Sequence, residues 1–135
     1  MLAAIQNIIM KFIGFISEHG NYSFAKERSF YFDRKEVDAN VELVLAYLKR
    51  GELCVPLMGG AEDVDEEMIG LIAVYTDGEW LWPEYFADYI NKYPNFKIED
   101  EFVQHVLTKK NKEIKVTEEE NLRLEKEFYR IAGFK

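Results

Sequence analysis

The side chains that most often carry catalysis or bind metals are few in this chain and lie far apart. It contains one cysteine, Cys54, and two histidines, His19 and His105. Cys54 lies in an apolar segment, a setting that favours an unreactive buried thiol over a nucleophile. Neither histidine has a second histidine at the spacing of metal ligands, so we expect both to lie at the surface or at helix ends.

Carboxylates are the other candidates for chemistry, because a pair in different environments can supply one acid and one base. Their spacing does not show that they converge on one pocket. No serine lies in a nucleophile elbow, and Gly59-Gly60 is not followed by the Lys-Ser or Lys-Thr pair of a phosphate-binding loop. The sequence therefore predicts a protein that is not an enzyme, whereas a cleft that holds Asp77, Glu79 and His105 together would favour an enzyme.

The acidic residues are concentrated in the middle third of the chain. The net charge is −8, and residues 52–98 contain ten acidic and two basic side chains. This charge would repel a phosphate backbone, so we predict no direct binding to nucleic acid. It would attract a basic protein, and the rate of that association would fall as salt is added.

An acidic segment between two predicted strands holds the densest part of this charge, namely Glu62, Asp63, Asp65, Glu66 and Glu67. Carboxylate oxygens are ligands that divalent cations prefer. However, the segment lacks the central glycine and the terminal glutamate of a calcium-binding helix–loop–helix. We therefore expect a solvated or partner-facing loop, with no metal and no cofactor.

Hydrophobic periodicity and turn residues predict one α+β domain over residues 1–135. Four to five helices are expected to flank a short antiparallel sheet with a central hairpin at about residues 68–82. The first helix is an amphipathic one in the first 16 residues that ends at Gly20. No apolar run is long enough to span a membrane, and we predict a cytoplasmic location. Further helices are predicted from Asp38 to a left-handed Gly51, from Pro83, over 100–110 and from Thr117 to Gly133.

The predicted hairpin brings several aromatic residues onto one face of the sheet. Met68 to Thr76 is predicted to be one central strand, and Asp77-Gly78 is a strong signal for a two-residue turn. With that turn, Tyr75 lies opposite Trp80. Because side chains alternate along a strand, the predicted faces are Tyr75, Trp80 and Trp82 on one side and Val74 and Leu81 on the other.

Two interpretations of the tryptophans, Trp80 and Trp82, remain open. Large aromatic rings most often lie in the core. Two such rings beside an acidic loop also have the composition of a protein interface, in which aromatic anchors lie inside a charged rim. Both interpretations hold if one ring lies inside and the other at the edge.

The hairpin segment also carries a resemblance to other proteins. The sequence from Thr76 to Pro83, which follows the pattern T-D-G-x-W-x-W-P, is followed by Tyr89 and Phe102, and a helix end at Tyr47 to Gly51 precedes it. This stretch resembles a signature of small bacterial proteins, some of which are similar to the immunity proteins that accompany polymorphic toxins. The resemblance covers about residues 38–107 and implies no catalytic residues.

Together these observations favour a non-enzymatic, immunity-like protein that neutralises a basic protein partner, such as a toxin domain. Trp80, Trp82 or Tyr85 would anchor the partner, and acids that converge beside these rings would steer it. The alternative is a self-associating structural or adaptor domain, with a homodimer face formed by the first helix and the aromatic segment 22–32. The steering acids would be Glu62, Asp63, Asp65, Glu66, Glu67, Asp77, Glu79, Glu84 and Asp88.

Overall fold

Five helices surround two β-sheets in the residues that the computed structural model describes, which are 10–33, 36–109 and 111–133. The strands are β1 Lys11–Phe12, β2 Glu52–Val55, β3 Gly60–Glu62, β4 Met68–Leu71, β5 Val74–Thr76 and β6 Trp80–Pro83. The helices are α1 Arg28–Tyr31, α2 Val41–Leu48, α3 Tyr85–Lys92, α4 Asp100–Lys109 and α5 Glu118–Ala132. This arrangement confirms the predicted α+β class. None of the described helices is long and apolar enough to cross a membrane.

The central sheet has the strand order β1-β6-β5-β2, and β3 pairs with β4 in a separate two-stranded sheet. The pairs β2–β5 and β5–β6 are antiparallel, but β1 runs parallel to β6. The central sheet is therefore mixed: the strands of the predicted antiparallel sheet pair as expected, and the parallel pair is added by β1, which was not predicted as a strand. Pro56 directly follows the edge strand β2, as expected for a residue that cannot donate a backbone hydrogen bond.

Each face of the central sheet packs against a different set of helices. Trp80 and Trp82 point toward α2, α3 and α4, where they join the larger core cluster. Val74 and Leu81 point the other way, into a smaller cluster with Leu124 of α5. The predicted assignment of residues to the two faces is thus confirmed.

The pairing register of the β5–β6 hairpin differs from the predicted one by two residues. Tyr75 lies opposite Trp82, and Thr76 lies opposite Leu81. The turn is longer because the Asp77 carboxylate accepts hydrogen bonds from the backbone N–H groups of Glu79 and Trp80, at 3.0 and 2.8 Å. A shift of two residues keeps every side chain on its face, since the side-chain period of a strand is two.

The predicted N-terminal helix was wrong for the part of it that the structure describes; residues 1–9 lie outside the described residues. Lys11 and Phe12 form β1, and the N–H groups of Lys11 and Ile13 donate to the carbonyls of Glu79 and Leu81, both at 3.0 Å. Gly14, at φ +79°, then turns the chain in a conformation that favours glycine. The spacing of the apolar residues in this segment fits one face of a helix. In the structure, these residues pack on both faces of an edge strand instead.

The segment from Met68 to Thr76 forms two strands in different sheets, and the prediction of one central strand was also wrong. β4 pairs with β3, whereas β5 pairs with β2 and β6. The Ile72 N–H donates to the Gly59 carbonyl at 3.1 Å where the chain passes between the two sheets. The β3–β4 hairpin therefore stands apart from the central sheet and packs on α3.

Helix ends were predicted best where a side chain caps the backbone. The Thr117 hydroxyl accepts from the Glu120 N–H at 3.1 Å, and α5 ends at Gly133 with φ +81°, as expected. By contrast, α2 begins after Asn40, two residues beyond Asp38, and Pro83 closes β6, so that α3 begins only at Tyr85.

Gly51 has a packing role in place of the predicted left-handed conformation. Its φ is not positive, and a Cβ at this position would lie 2.3 Å from Cζ2 of Trp82. The missing side chain thus lets the indole ring pass close to the backbone that follows α2. A residue with a side chain here would displace one of the largest buried groups of the core.

Candidate functional site

The acidic segment forms the tip of the β3–β4 hairpin. The Asp63 N–H donates to the Glu67 carbonyl at 2.9 Å, and the Glu66 N–H donates to the Asp63 carbonyl at 3.0 Å. Glu66 has φ +64°, a left-handed conformation that is uncommon for a residue with a side chain. The tip is therefore an ordered turn, and its backbone determines where each carboxylate points.

Two of the tip acids form ion pairs with a lysine of the same chain. Asp63 is buried, and its Oδ2 lies 2.7 Å from Lys92 Nζ and accepts a hydrogen bond from the Tyr93 hydroxyl at 2.5 Å. Burial opposes its ionisation, but the hydrogen bonds from Lys92 and Tyr93 outweigh it and lower the pKa of Asp63. Asp65 shares Lys92 at 2.7 Å. These two acids fasten the hairpin to the end of α3. Asp63 is buried and does not face a partner as predicted, whereas Asp65 remains exposed.

The other three acids, Glu62, Glu66 and Glu67, are exposed and form no ion pair within the part of the chain that the structure describes. Large apolar side chains of the same segment are also exposed, with Met58, just before β3, at 92% and Met68, opposite Glu62, at 68% of full exposure. We call this set the hairpin surface; its members are Met58, Glu62, Val64, Glu66, Glu67, Met68 and Leu71.

Strand pairing explains why these side chains reach solvent. Glu62 lies opposite Met68, and Ala61, which is buried, lies opposite Gly70. A Cβ at Gly70 would lie 3.0 Å from the Tyr85 backbone, so this side of the hairpin rests on α3 without room for a side chain. Glu62 and Met68 are exposed, although the Glu62 carbonyl accepts a hydrogen bond from the Arg28 guanidinium of α1 at 3.1 Å.

The β5–β6 turn carries a second group of polar residues, which includes one that the sequence did not single out. Oδ2 of Asp77 accepts hydrogen bonds from the Tyr47 hydroxyl of α2 at 2.5 Å and from Nε2 of His105 at 2.6 Å. Nδ1 of His105 lies 3.8 Å from the Glu79 carboxylate, which also faces Lys109 at 3.9 Å. Tyr47 was expected only as part of a helix end, and neither its spacing nor that of His105 indicates this contact.

Asp77 is nearly buried and fully hydrogen-bonded. Burial alone would raise its pKa, but hydrogen bonds from Tyr47, from the Trp80 and Glu79 amides and from His105 outweigh burial and lower it. Burial of Tyr47, followed by its hydrogen bond to the Asp77 carboxylate, raises the pKa of Tyr47. The group therefore joins the turn to α2 and α4 with an ionised carboxylate at its centre. The cavity beside it has a volume of about 190 Å³ and is lined by Asp77, Glu79, His105 and the lysines 109, 112 and 115.

Trp80, Trp82 and Tyr85 are core residues in this structure. Each is at most 3% exposed, and the two indole rings pack edge-on against Phe102 at centroid distances of 5.1 and 6.0 Å. The Tyr85 hydroxyl accepts a hydrogen bond from the Ile16 N–H at 2.9 Å. The interpretation of these rings as partner anchors is thus corrected, because a partner cannot reach them in this conformation.

The acids predicted to form one patch lie in two separate groups, and each group contacts different helices. The acidic tip binds the end of α3 through Asp63, whereas Asp77 and Glu79 contact residues of α2 and α4. No hydrogen bond or ion pair joins the two groups in the described residues. The two groups do not meet beside the tryptophans. Among the described residues, the hairpin surface combines unpaired acids with exposed apolar groups.

The Cys54 thiol is buried. Burial, with a smaller effect from Glu125, raises the pKa of Cys54 to about 12, which makes the thiolate rare at neutral pH. Within residues 10–33, 36–109 and 111–133, no three histidine, cysteine or acidic side chains are grouped so that they could hold a metal ion. In the aromatic segment 22–32, Tyr22 and Phe24 pack against Phe128 and are partly buried.

In comparisons with protein-family models, with curated proteins and with solved structures, the chain has no significant match.

Proposed function

We propose that the chain is a non-enzymatic, immunity-like protein that binds and neutralises a basic protein partner through the hairpin surface. One observation carries the proposal: Glu62, Glu66 and Glu67 lack an ion-pair partner in the described chain and lie among exposed methionine and leucine side chains. An isolated exposed apolar residue is ordinary, but several on one hairpin beside unpaired charge are typical of an interaction site.

The chemistry of the hairpin surface specifies what would bind. Methionine adapts its shape to a partner and is enriched at interfaces, so Met58 and Met68 replace the tryptophans as the apolar centre of contact. The surrounding glutamates would speed the approach of a basic surface and disfavour an acidic one. The resemblance to immunity proteins supplies the neutralising role, since an inhibitor needs only to cover the surface that its partner uses.

A capture experiment with matched variants tests this function. The purified chain is immobilised, exposed to lysate of the source organism, and compared with E62K/E66K/E67K. We expect at least one basic protein to be captured by the wild type and lost with this triple variant. The captured protein, once purified, should associate with the triple variant at least about tenfold more slowly than with the wild type at low salt. This difference in association rate should shrink at high salt.

The control is E36K/E52K/E118K, which changes the net charge equally through three exposed glutamates elsewhere on the surface. It should capture the same protein as the wild type. If the partner is a toxin, co-expression of the wild type should restore growth, and the hairpin variant should not. Equal loss in both triple variants, or no basic protein that distinguishes them, would contradict the proposal.

A second candidate function is acid–base catalysis, because Asp77, Glu79 and His105 do lie together beside a cavity. In that case Asp77 would orient His105, whose Nδ1 would act as the base on a bound water. Hydrolysis of a panel of esters and phosphate esters by the wild type, H105Q and the control H19Q tests it. Turnover that H105Q alone abolishes would favour an enzyme; no turnover by the wild type would leave binding as the function.

A further inference from the structure

We propose that His19, Tyr89 and Arg28 form a pH-sensitive switch, which holds the β3–β4 hairpin when His19 is neutral and loosens it when His19 is protonated. These side chains belong to the segment before α1, to α3 and to the first position of α1, so one proton acts on three parts of the fold. The switch rests on the proposed function only in its last consequence, which is that mild acid would weaken binding of the partner to the hairpin surface.

A chain of hydrogen bonds runs from Arg28 to His19. The Arg28 guanidinium donates to the Tyr89 hydroxyl, and the oxygen of that hydroxyl lies 2.7 Å from Nε2 of His19. Because a guanidinium has donors only, the Tyr89 oxygen is its acceptor and the hydroxyl proton is left for His19. Tyr89 is completely buried, and a buried hydroxyl proton needs an acceptor. Nε2 of neutral His19 supplies it.

Protonation of His19 removes this acceptor and adds a charge. Nε2 then carries a hydrogen, so the imidazolium and the guanidinium both donate to the same oxygen. In the part of the chain that the structure describes, no other acceptor lies within hydrogen-bond distance of the Tyr89 proton. The two positive groups at one hydroxyl also repel each other. The site therefore fits neutral His19 and opposes its protonated form.

The groups around His19 act in the same direction. The titratable groups that face it belong to its own segment, to α1, to α3 and to the hairpin tip; they are Glu18, Arg28, Tyr85, Tyr89 and Asp63. The two tyrosine rings of α3 pack on the imidazole at centroid distances of 5.0 and 5.8 Å. Burial, followed by the charge of Arg28, lowers the pKa of His19, and the charges of Glu18 and Asp63 oppose this shift without reversing it.

Arg28 connects this site to the hairpin. Its Nη2 donates to the carbonyl of Glu62, the last residue of β3, at 3.1 Å. Its backbone N–H donates to Oε1 of Glu18 at 2.9 Å, which fixes the start of α1 beside His19. Glu62 belongs to the hairpin surface and lies opposite Met68. A guanidinium that moves away from protonated His19 would therefore release β3 at a residue of the hairpin surface.

The direction of the pH effect follows from the lowered pKa of His19. Between that value and the ordinary value of 6.5, the folded chain binds fewer protons than the unfolded chain. The stabilisation by neutral His19 is thus complete above about pH 6.5 and is lost as the pH falls through the folded pKa. The pKa of Asp63 is lowered, so this carboxylate still holds the hairpin at about pH 5. The range from about pH 7.5 to about pH 5 therefore separates the histidine from this acid.

Amide hydrogen exchange of the full chain measures how firmly the hairpin is held. Exchange is followed at about pH 7.5 and about pH 5, and each rate is corrected for the intrinsic pH dependence of exchange. We expect the protection of β3 and β4 to fall at least about threefold at the lower pH, whereas β5 and β6 should keep theirs. The midpoint of this change should coincide with protonation of the His19 ring, followed by NMR.

Variants assign the response to this site. H19Q keeps a neutral side chain at every pH and should abolish the change in hairpin protection. R28Q removes the guanidinium, so the hairpin should be weakly protected at both pH values. H105Q, at the other histidine, is the matched control and should respond as the wild type does. Y89F removes the hydroxyl that links the two groups and should also reduce the response, which keeps the test valid if H19Q is unfolded.

The consequence for binding is measured with the captured basic protein. Its affinity for the wild type should fall from about pH 7.5 to about pH 5 by a factor at least about threefold larger than its affinity for H19Q does. Comparison with H19Q separates the switch from titration of the partner itself, because the same partner meets both chains.

A hairpin response in H19Q equal to that of the wild type would overturn the proposal. So would protonation of His19 that leaves hairpin protection unchanged, since the imidazolium would then have turned into solvent without moving Arg28. These results are separable from a failure of the proposed function. If the hairpin responds through His19 but no basic protein is captured, the switch is right and the proposed function fails. If a basic protein is captured but hairpin protection does not change with pH, only the switch is wrong.

Discussion

Asp77 in the β5–β6 turn accepts four hydrogen bonds, whereas Glu66 and Glu67 at the tip of the β3–β4 hairpin have no ion-pair partner in the described chain. Both turns are acidic and both lie in the middle third of the sequence. The first uses its carboxylate to join the sheet to α2 and α4. The second uses only Asp63 and Asp65 within the chain and leaves its glutamates in solvent. Net charge by itself therefore does not separate acids that hold the fold from acids that are available to a partner.

The largest effect on stability is expected when Asp77 is removed. D77A leaves the Tyr47 hydroxyl, His105 and two backbone amides without their acceptor, so we expect a loss of about 3 kcal/mol in the free energy of unfolding. Urea unfolding at neutral pH measures it. E67A is the matched control, because it removes an exposed acid, and it should stay within about 0.5 kcal/mol of the wild type. Similar losses in the two variants would remove the distinction between the turns.

Removing Asp63 should have an intermediate effect. D63A breaks the contacts to Lys92 and Tyr93, of which Lys92 is partly solvated, and we expect a loss of about 2 kcal/mol. Amide hydrogen exchange should accelerate more in β3 and β4 than in β5 and β6, because only the first hairpin is fastened through this residue. Uniform acceleration across both hairpins would show that Asp63 supports the whole fold.

Acid should weaken the fold through the same two carboxylates. The folded pKa values of Asp63 and Asp77 lie below their ordinary values, so their stabilisation is complete above the unfolded pKa, about 3.9, and is lost as the pH falls through the folded values. Each group contributes a slope of at most about 1.4 kcal/mol per pH unit. D63N and D77N should each flatten the stability profile below about pH 4. An unchanged slope in D77N would count against its role.

The smallest effect on stability is expected on the hairpin surface. M68S/L71S replaces two exposed side chains, so the free energy of unfolding should change by less than about 0.5 kcal/mol per substitution. Capture of the basic partner should nevertheless fall sharply, as measured by pull-down with the purified proteins. L122S, at another exposed leucine, is the control and should capture the partner normally. Full capture by M68S/L71S would place the contact elsewhere.

Local chemistry predicted several parts of this fold correctly. Thr117 and Gly133 mark the ends of α5 because both act on the backbone next to them. The faces of β5 and β6 were right even though the register was not, because a shift of two residues leaves alternation intact. These features depend on neighbours in the sequence.

Features that depend on distant partners could not be predicted in this way. The strand at Lys11 exists because it pairs with Trp80, and the apolar spacing of the segment fits a helix equally well. The contact between Asp77 and His105 joins a turn to a helix, and no spacing rule connects them. The exposure of Met68 depends on β4 leaving the central sheet, which the continuous apolar run from Met68 to Thr76 conceals.

The parallel pairing of β1 with β6 has a consequence for how the chain is made. About half of the 135 residues separate Lys11 from Trp80, so β1 leaves the ribosome long before its partner strand has been synthesised. Closing so long a loop costs entropy that a local hairpin does not, and this edge of the sheet therefore forms late. Until then the apolar segment from Phe12 to Ile16 lacks the neighbours that cover it in the folded chain.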